Sequence, residues 1–455
     1  MFVGREKELA LLKESILLDN KATLIYGKRR VGKTSLIKKA VSECGCRMIY
    51  YECTRTTLRE NVRLFGKILI AQGLPSFIAA FETFQDVFDY LSTLQEHLII
   101  VIDEYPYLST FEESQSVDSV FQNIIDNRLQ NAHLILSGSQ ISVMKSLLEE
   151  GNALYGRFSK VIPLRELNYR QASAFYPSKS FYEKVGFYSV FGGSPFVLQE
   201  LDEKESLEQN IARTILSETN PVHLYAANLL LTDYRNAVNI ERILAVLGNG
   251  KKKYSEIEKA LQLNRSGNLA KQLKALTSME LVQQVTPINR KNDAQKKYYE
   301  INDNLMRFYY TYLYPNQSAL QMISEKAFLD QLILPDLYTS FIPRRFEDIC
   351  RSFFSLSARE GELPGITNIG MYYYDDPVQH KNGEFDVALE FGNEYEIYES
   401  KCLTKPLPLS MLHREANQIR EIPGLNIRKI GFVSVNGFEE KEEGYSCYEG
   451  NDLYR

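Results

Sequence analysis

One segment constrains the fold of this chain more than any other: the apolar run ATLIY, the loop GKRRVGKT and the helical pattern SLIKKAV, which together span residues 22–41. Gly27, Gly32, Lys33 and Thr34 occupy the fixed positions of the pattern G-x-x-x-x-G-K-[ST]. The glycines let the backbone curl so that successive N–H groups converge on phosphate oxygens, and the following helix adds the positive end of its dipole. Strand, loop and helix occur in the required order, so the segment predicts a phosphate-binding loop.

The loop predicts an ATP site that also binds Mg²⁺. We expect Lys33 to reach the β- and γ-phosphates and Thr34 to hold the ion. The other residues expected around the nucleotide phosphates are Gly27, Lys28, Arg29, Arg30, Val31, Gly32 and Ser35.

The apolar strand LIIVID delivers two carboxylates, Asp103 and Glu104, to the edge of the sheet where ligands collect in open α/β folds. Asp103 would support Mg²⁺ through water, and Glu104 would orient or deprotonate the attacking water. An isolated Asp-Glu pair after a strand is more often a helix N-cap. Beside a complete phosphate loop, however, the pair indicates Mg²⁺-dependent ATP hydrolysis.

The length of 455 residues, 44% of them hydrophobic, is enough for about three domains. A formal net charge of -5 argues against a generally basic surface and leaves nucleic-acid binding to local patches. The chain has no apolar run of transmembrane length, and MFVGREKE is not a signal peptide, so we expect a cytoplasmic location. The 6 cysteines are scattered and lack the spacing of a zinc site.

Up to about residue 165 the chain alternates short apolar strands with longer helical stretches; the strands are ATLIY, RMIYYEC, LIIVID, AHLILSGS and KVIPL. Near-continuous apolar strands between helices predict a parallel sheet covered on both faces, which is the α/β class. Residues 168–233 have helical patterns interrupted by FGGSP, and they predict a helical lid beside the sheet. We therefore assign residues 1–235 to a P-loop ATPase domain with its lid.

The second half of the chain has a different pattern. Residues 239–301 contain three helical patterns and then two alternating strands, LVQQVTPI and KKYYEI, an order typical of a winged helix-turn-helix. We assign that domain to residues 236–315 and a helical connector to residues 316–340. Residues 341–455 follow the order helix, strand, strand, helix, strand and predict a third domain, also of the α/β class.

Further motifs of the first half resemble those of one family. FVGREKEL resembles a box of origin-recognition ATPases and of signal-transduction NTPases with numerous domains, in which Gly4 and Arg5 would flank the adenine. LILSGSQ, ALYGRF and FGGSPF resemble signatures of the archaeal-type ATPases, a family that also occurs in bacteria. By that resemblance Ser139 would be a polar sensor of the γ-phosphate, and Pro195 would lie near the adenine.

The same resemblance gives Arg157 the role of a sensor or an arginine finger. Two alternatives stay open at this point: GGSP is a common turn, and Arg157 can equally form a surface ion pair. If Arg157 acts on a neighbouring subunit, a homo-oligomer is expected, because an arginine finger in trans completes the neighbour's site.

Basic residues cluster around the predicted winged helix. Ser266 is predicted to be the N-cap of a recognition helix whose outward residues are Asn268, Lys271 and Lys274. The other basic residues are Lys251, Lys252, Lys253, Arg290, Lys291, Lys296 and Lys297, of which the last four flank the expected wing tip. Such clusters can neutralise several phosphates of DNA. They are equally consistent with a solvated face or a protein contact, and the helix has few Arg and Asn residues for base-specific reading.

The segment GEFDVALEFGNEYEIYESKC holds a second group of charged residues. Glu399 and Lys401 lie two residues apart in one strand and so point to the same face, and Asp386 lies in the preceding strand. The segment resembles the PD-(D/E)xK restriction-endonuclease-like fold that is often fused to archaeal-type ATPases. Glu347 in RRFEDICRSFF matches the acidic residue on the first helix of that fold. One departure is that GEFD, beginning at Gly383, replaces a literal Pro-Asp, which removes no ligand.

The resemblance implies a metal-dependent nuclease site. Asp386 and Glu399, with Glu347, would bind one or two Mg²⁺ ions, and Lys401 would position or activate the water. The alternative is a structural Asp with an exposed Glu-x-Lys pair, and the acidic tail FEEKEEGYSCYEGND would repel a nucleic-acid backbone.

The sequence as a whole predicts an ATPase whose nucleotide state controls a winged helix and a nuclease-like domain that acts on nucleic acid. The alternative is an ATP-dependent protein-interaction or transcription-regulatory switch with an inactive nuclease fold.

Overall fold

The computed structural model describes residues 2–109, 114–228, 240–262, 268–376 and 381–455. It contains two compact units, Met1–Glu166 and Leu167–Arg455, each with hydrophobic clusters of its own. The predicted N-cap Ser266 and the predicted boundary between residues 235 and 236 lie outside the described residues. Among the described helices, none is long and apolar enough to cross a membrane.

The described helices and strands of the first unit are, in chain order, α1 (Glu6–Ile16), β1 (Lys21–Tyr26), α2 (Lys33–Cys44), β2 (Arg47–Glu52), α3 (Leu58–Ala71), α4 (Phe84–Leu91), β3 (Leu98–Asp103), α5 (Ser114–Asn127), β4 (Ala132–Gly138), α6 (Ile141–Ser146) and β5 (Phe158–Pro163).

The strands of the first unit form one parallel sheet in the order β2-β3-β4-β1-β5. Strands β3 and β4 are buried along their whole length, as expected for unbroken apolar sequences in central strands. Alternate residues of β3 point to opposite faces: Ile99 and Val101 pack with α1 and α2, whereas Ile100 and Ile102 pack with α3, α4 and α5. The predicted α/β fold with a parallel sheet is confirmed. The loops that follow β1, β3 and β4 all lie at the same edge of this sheet, because the three strands run parallel.

The described helices and strands of the second unit are α7 (Tyr169–Ala172), α8 (Phe181–Phe191), α9 (Pro195–Leu198), α10 (Leu207–Asn210), α11 (Pro221–Asn228), α12 (Ile240–Gly248), β6 (Lys252–Lys253), α13 (Tyr254–Ala260), α14 (Asn268–Ser278), β7 (Val282–Val285), β8 (Tyr298–Ile301), α15 (Asn304–Phe308), α16 (Gln317–Met322), α17 (Glu325–Phe328), α18 (Leu334–Asp336), α19 (Ile342–Arg359), β9 (Asn368–Asp376), β10 (Lys381–Phe391), β11 (Glu394–Lys401), α20 (Leu409–Arg420), β12 (Ile427–Ser434), β13 (Ser446–Glu449) and α21 (Gly450–Leu453).

The predicted lid helices share a hydrophobic cluster with the rest of the second unit. Phe187 and Val190 of α8 belong to the same cluster as Phe308 of α15 and Ile342 of α19. The division into compact units therefore falls after residue 166, whereas the sequence pattern placed the end of the ATPase domain near residue 235. A helical pattern shows that one face is apolar, but it does not say which neighbour covers that face.

The described residues 240–262 and 268–301 form three α-helices and three strands. Helices α12, α13 and α14 bury Leu247, Ile257 and Leu273 on their inner faces, and β7 pairs with β8 antiparallel. The short β6 pairs with β8 to complete the order β6-β8-β7. The three helices and two longer strands follow the predicted order. Strand β6 has only 2 residues, too few for a periodic pattern to show.

The C-terminal sheet has the order β13-β12-β11-β10-β9. Strands β9, β10 and β11 are antiparallel, and β11, β12 and β13 are parallel. Helix α19 packs with Val387 and Leu389 on one face, and α20 packs with Ala388 and Ile397 on the other. The sequence predicted the helix on each side but neither edge strand: β9 and β13 are additions to the predicted order.

The loop between β7 and β8, residues 286–297, docks on the outer edge of β9. Ile288 is 4% exposed and lies in the hydrophobic cluster of the C-terminal sheet with Tyr372 and Phe385. The Asn289 side chain donates to the Tyr373 carbonyl at 2.7 Å and accepts from the Tyr373 amide at 3.0 Å, as a neighbouring strand would. The loop thus covers an edge that would otherwise present unpaired backbone groups.

Replacing Ile288 by Ala is expected to loosen this docking, since it removes three buried carbon atoms at a cost of about 2–5 kcal/mol. The Tyr373 amide should then exchange its hydrogen faster than in the unchanged protein, because its contact with Asn289 opens more often. Hydrogen exchange over β9 measures the effect. Ile288→Val is the matched control, because it removes one methyl group. Equal exchange rates in all three proteins would contradict the docking.

Candidate functional site

The phosphate loop lies between β1 and α2 as predicted. Gly32 has a φ of 100° and directly precedes the first turn of α2, a conformation that favours glycine. Gly27 is confined by close packing, since a Cβ atom there would lie 2.0 Å from the Leu164 carbonyl oxygen. Arg30 also adopts a left-handed conformation, with a φ of 63°. These positions curl the loop tightly at the carboxyl end of β1.

The loop lysine lies over its own loop. Lys33 is 6% exposed, and its Nζ donates to the carbonyl oxygens of Gly27 at 2.9 Å and Lys28 at 3.1 Å. Its cationic head is therefore held where the loop turns, which is the position that phosphate binding requires. Lys28 forms an ion pair with Glu166 at 3.2 Å, and Ser35 is exposed on α2.

Asp103 joins the loop to β3. The Thr34 hydroxyl donates to Asp103 Oδ2 at 3.3 Å, so the two predicted Mg²⁺ ligands are neighbours. Tyr50 of β2 donates its hydroxyl to the same carboxylate oxygen. Burial is the main cause that raises the pKa of Tyr50 well above its usual value, and the charge of Asp103 raises it further. The phenol therefore stays protonated and remains a hydrogen-bond donor. Sequence analysis missed Tyr50, because β2 and β3 pair only in the folded sheet.

Glu104 is held by the residue predicted to be a sensor. Its backbone is left-handed, with a φ of 51°, and its Oε2 accepts from the Ser139 amide at 3.2 Å and the Ser139 hydroxyl at 2.8 Å. Arg29 of the phosphate loop donates from Nε to the same Ser139 hydroxyl at 3.4 Å and from Nη2 to the Tyr107 hydroxyl. The structure therefore brings loop, base and sensor together at one edge of the sheet.

Arg5 forms hydrogen bonds that hold the phosphate loop in place. It is 5% exposed, and its guanidinium donates to the carbonyl oxygens of Val31 and Arg165 and pairs with Glu8. Burial lowers the pKa of Arg5 below its ordinary value. Gly4, beside it, has a φ of 66°. The box that the resemblance assigned to the adenine thus ties the loop to the segment after β5.

Two further residues, Arg157 and Pro195, are assigned to the nucleotide by resemblance. Arg157 donates from Nε to both carboxylate oxygens of Asp126, at 3.1 and 3.0 Å, and from Nη1 to the Ala153 carbonyl. This is the surface ion pair that the sequence left open as an alternative. Pro195 begins α9 in the second unit and is partly buried. The roles of Arg157 and Pro195 towards the nucleotide stay predictions.

Asp386 and Glu399 lie near each other on adjacent strands, and the charge of Asp386 acts to raise the pKa of Glu399. The antiparallel register pairs Val387, the residue after Asp386, with Tyr398, the residue before Glu399. A β-bulge interrupts the pairing of β10 with β9 between Phe385 and Ala388, so that Asp386 sits in the bulge. Bulges often re-aim a side chain beside a functional site.

Lys401, near Asp386 and Glu399, lies between two carboxylates. Lys401 Nζ is 3.2 Å from Glu399 Oε2 and 3.5 Å from Glu415 Oε1 of α20. Burial acts to lower the pKa of Lys401, but Glu399 and Glu415 outweigh it and raise that pKa. The predicted shared face of Glu399 and Lys401 is observed. Glu415 was missed, because it is 14 positions along the chain from Lys401 and reaches it only through packing of α20.

Burial makes negative charge costly in this cluster. Burial is the main cause that raises the pKa of Glu347 to about 9, and the charge of Asp386 acts in the same direction. Burial raises the pKa of Glu399 to about 7, although Lys401 acts in the opposite direction. Burial also raises the pKa of Asp386. A bound cation would lower this electrostatic cost.

Arg351 is a second residue that sequence analysis missed, and it contacts the backbone of Asp386. Arg351 of α19 donates from Nη1 to the Asp386 carbonyl oxygen at 2.6 Å and pairs with Asp348. Within the described residues, no group of three or more His, Cys, Asp or Glu side chains is arranged to hold a metal ion. The metal-binding roles of Glu347, Asp386 and Glu399 therefore stay predictions.

Two of the four basic residues expected at the wing tip, and Lys251 before α13, contact the C-terminal sheet. Lys291 pairs with Glu390 at 2.7 Å, and Lys296 lies 3.5 Å from the centre of the Tyr373 ring. Lys251 pairs with Glu384. In contrast, Lys271 and Lys274 are exposed on α14.

Family models match two segments of this chain. Residues 2–201 match the family model described as an ATPase domain predominantly from Archaea. Residues 309–405 match a model described as "Archaea bacterial proteins of unknown function". An uncharacterized protein of Methanocaldococcus jannaschii, MJECL04, is 28% identical over 458 residues, which cover 98% of each chain.

Two solved structures are similar to this chain. The Walker-type ATPase paby2304 of Pyrococcus abyssi has a TM-score of 0.53 at 19% identity, covering 68% of this chain and 96% of that one. The ORC2 protein of Aeropyrum pernix, in its ADPNP and ADP complexes, has a TM-score of 0.43 at 12% identity, covering 70% and 94%. The first likeness shows that this chain has the fold of a Walker-type ATPase, and the family match supports ATPase activity.

Replacing Gly27 by Ala is expected to weaken ATP binding by about tenfold or more, because the added Cβ meets a backbone oxygen that cannot turn aside. Calorimetric titration with ATP measures the loss. Ser42→Ala, at an exposed position of α2 that has no predicted role at the nucleotide, is the control. Unchanged ATP affinity in Gly27→Ala would show that the loop can widen.

Proposed function

We propose that this chain binds and hydrolyses ATP, and that its nucleotide state controls a winged helix and a nuclease-like C-terminal domain acting on nucleic acid. The observation that carries the ATPase part is one set of contacts at the edge of the parallel sheet. Thr34 contacts Asp103, and Ser139 contacts Glu104, so loop, ligand, base and sensor are neighbours. A cytoplasmic location and a homo-oligomer stay predictions.

The donor set at this edge fits Mg²⁺. The Thr34 hydroxyl and the Asp103 carboxylate are hard oxygen donors, the type that Mg²⁺ prefers. When bound with ATP, the ion would neutralise charge on the phosphates. The chain's own residues have separate tasks: Lys33 binds the terminal phosphates, Glu104 accepts a proton from the attacking water, and Ser139 orients Glu104.

Two substitutions separate ATP binding from hydrolysis. Lys33→Ala should weaken ATP binding by about tenfold or more, since it removes the cation directed at the phosphates. Glu104→Gln should retain ATP but lose about 100-fold or more in kcat, because an amide cannot accept the proton. Lys39→Ala, which removes an exposed lysine paired with Glu43 on the same helix, is the control. Normal ATP affinity in Lys33→Ala would remove the basis of the assignment.

The C-terminal part of the proposal is supported by topology and register. A helix, three antiparallel strands, a second helix and a parallel strand follow one another in the chain from α19 to β12. Asp386 and Glu399 flank the paired residues Val387 and Tyr398, and Lys401 lies 3.2 Å from Glu399. Asp386, Glu399 and Glu347 would hold Mg²⁺, and Lys401 would position the water. On the winged helix, the exposed Lys271 and Lys274 are the proposed nucleic-acid contacts.

Cleavage is tested by incubating the purified full chain with mixed DNA and RNA, with and without ATP and Mg²⁺ or Mn²⁺. Lys401→Met and Asp386→Ala should each abolish metal-dependent cutting and leave ATP hydrolysis intact, because the first unit is unchanged. Lys429→Met, at an exposed position of the neighbouring strand β12, should cut as the wild type does. If the wild type cuts neither DNA nor RNA in any nucleotide state, the nuclease proposal fails.

A second candidate is an ATP-dependent protein-interaction or transcription-regulatory switch with an inactive nuclease fold. It is favoured by the contacts of Lys251, Lys291 and Lys296, which engage the C-terminal sheet instead of presenting their charge to nucleic acid. In that case a footprint or a captured protein partner would persist in Lys401→Met.

A further inference from the structure

We propose that Arg29 supplies, in cis, the arginine that stabilises charge on the γ-phosphate during hydrolysis. This inference rests on the proposed ATPase function and concerns one step within it. The sequence motif fixes only the glycines, the lysine and the threonine of the loop, so nothing in the pattern assigns Arg29 a side-chain role.

The first argument is the direction of the side chain. Arg29 belongs to the phosphate loop, yet its guanidinium reaches the ends of the two neighbouring strands. Its Nε lies 3.4 Å from the Ser139 hydroxyl after β4, and its Nη2 contacts the Tyr107 hydroxyl after β3. The guanidinium therefore lies beside Ser139, whose hydroxyl contacts the predicted base Glu104.

The second argument is that this position is fixed by packing. Tyr107 receives the guanidinium of Arg55 over its ring, with 4.6 Å between the guanidinium carbon and the ring centre. Its hydroxyl is thereby held in place for Arg29. A guanidinium carries five N–H donors in one plane, so a single side chain can bind a neighbour and a phosphate oxygen together.

The third argument comes from Ser139, which touches both Arg29 and the base. The Ser139 hydroxyl donates to Glu104 at 2.8 Å and accepts from Arg29 at 3.4 Å. A movement of Arg29 towards the γ-phosphate would thus change the position of Ser139 and, through it, of Glu104. Binding of the third phosphate and readiness of the base become linked within one subunit.

Arg157, to which the resemblance gives this role, is held elsewhere. Arg157 contacts both oxygens of Asp126 and the Ala153 carbonyl, and a role at the nucleotide would require it to leave these contacts. Lys33 contacts the carbonyl oxygens of the phosphate loop, and it would bind ATP and the transition state with similar strength. A cation that acts mainly in the transition state would therefore be a side chain other than Lys33. Arg29 is placed for this role, because it contacts Ser139 and Ser139 contacts the predicted base Glu104.

In the step itself, the oxygen of water forms a bond to the γ-phosphorus while the bond from that phosphorus to the β,γ-bridging oxygen breaks. The electron pair of the broken bond stays on ADP, and the proton of the water passes to Glu104 and then to solvent. Negative charge accumulates on the γ-phosphoryl oxygens and the bridging oxygen during this exchange. Arg29 would stabilise that charge, which raises kcat and leaves ATP affinity nearly unchanged.

Steady-state kinetics of the full chain test the inference. Arg29→Ala and Arg29→Gln should each lower kcat by about 100-fold or more and change KM by less than about threefold. Neither should form a stable complex with ADP and aluminium fluoride, which imitates the transition state, although both still bind ADP. Arg29→Lys should recover part of kcat, because the charge returns without the planar fork. Arg59→Ala, an exposed arginine paired with Glu82, is the control.

A concentration series decides between action in cis and in trans. Wild-type activity per molecule should stay constant over a wide range of protein concentration, and Arg157→Ala should hydrolyse ATP as the wild type does. The inference is overturned if activity per molecule rises with concentration and Arg157→Ala loses it. It is also overturned if both Arg29 variants keep a kcat within about threefold of wild type while Glu104→Gln is inactive, a result that leaves the proposed ATPase function standing. If the wild type hydrolyses no ATP, both fail.

Discussion

The contact between the Thr34 hydroxyl and the Asp103 carboxylate, 3.3 Å apart, is the interaction on which the nucleotide site depends. Thr34 lies in the first turn of α2, Asp103 ends β3, and 68 residues lie between them in the chain. They meet because β4 lies between β1 and β3 and all three strands run parallel. Any sheet order that placed these carboxyl ends on different edges would leave the loop without its carboxylate.

The sequence predicts those parts of the site that repeat a local pattern. The loop, its flanking strand and helix, and the carboxylates at the end of β3 each follow from residues close together in the chain. Arg5 and Tyr50 could not be predicted in their observed roles, because Arg5 contacts Arg165 and Tyr50 contacts Asp103 only after the sheet has formed. The ion pair of Arg157 with Asp126 could not be predicted from the motif either, and the role of Arg157 towards the nucleotide stays a prediction.

The same distinction holds in the C-terminal sheet. Strand periodicity alone places Glu399 and Lys401 on one face, and the structure has them 3.2 Å apart. The bulge at Asp386 has no signal in the sequence, since it depends on how β10 pairs with β9. Strand β9 itself was missed: NIGMYYYDD has little alternation of apolar and polar residues, and its pairing partners define it as a strand.

Charge in the 286–297 loop is ambiguous from sequence because lysines suit both a phosphate backbone and a carboxylate on the same chain. In the structure the loop is anchored by Ile288 in the core of the C-terminal sheet and by Asn289 on the backbone of Tyr373. Tyr373 lies on β9, and β9 pairs with the strand that carries Asp386. A displacement of residues 240–301 would therefore pull on the edge of the sheet beside Asp386, and the segment proposed to read nucleic acid is mechanically joined to the cluster proposed to cut it.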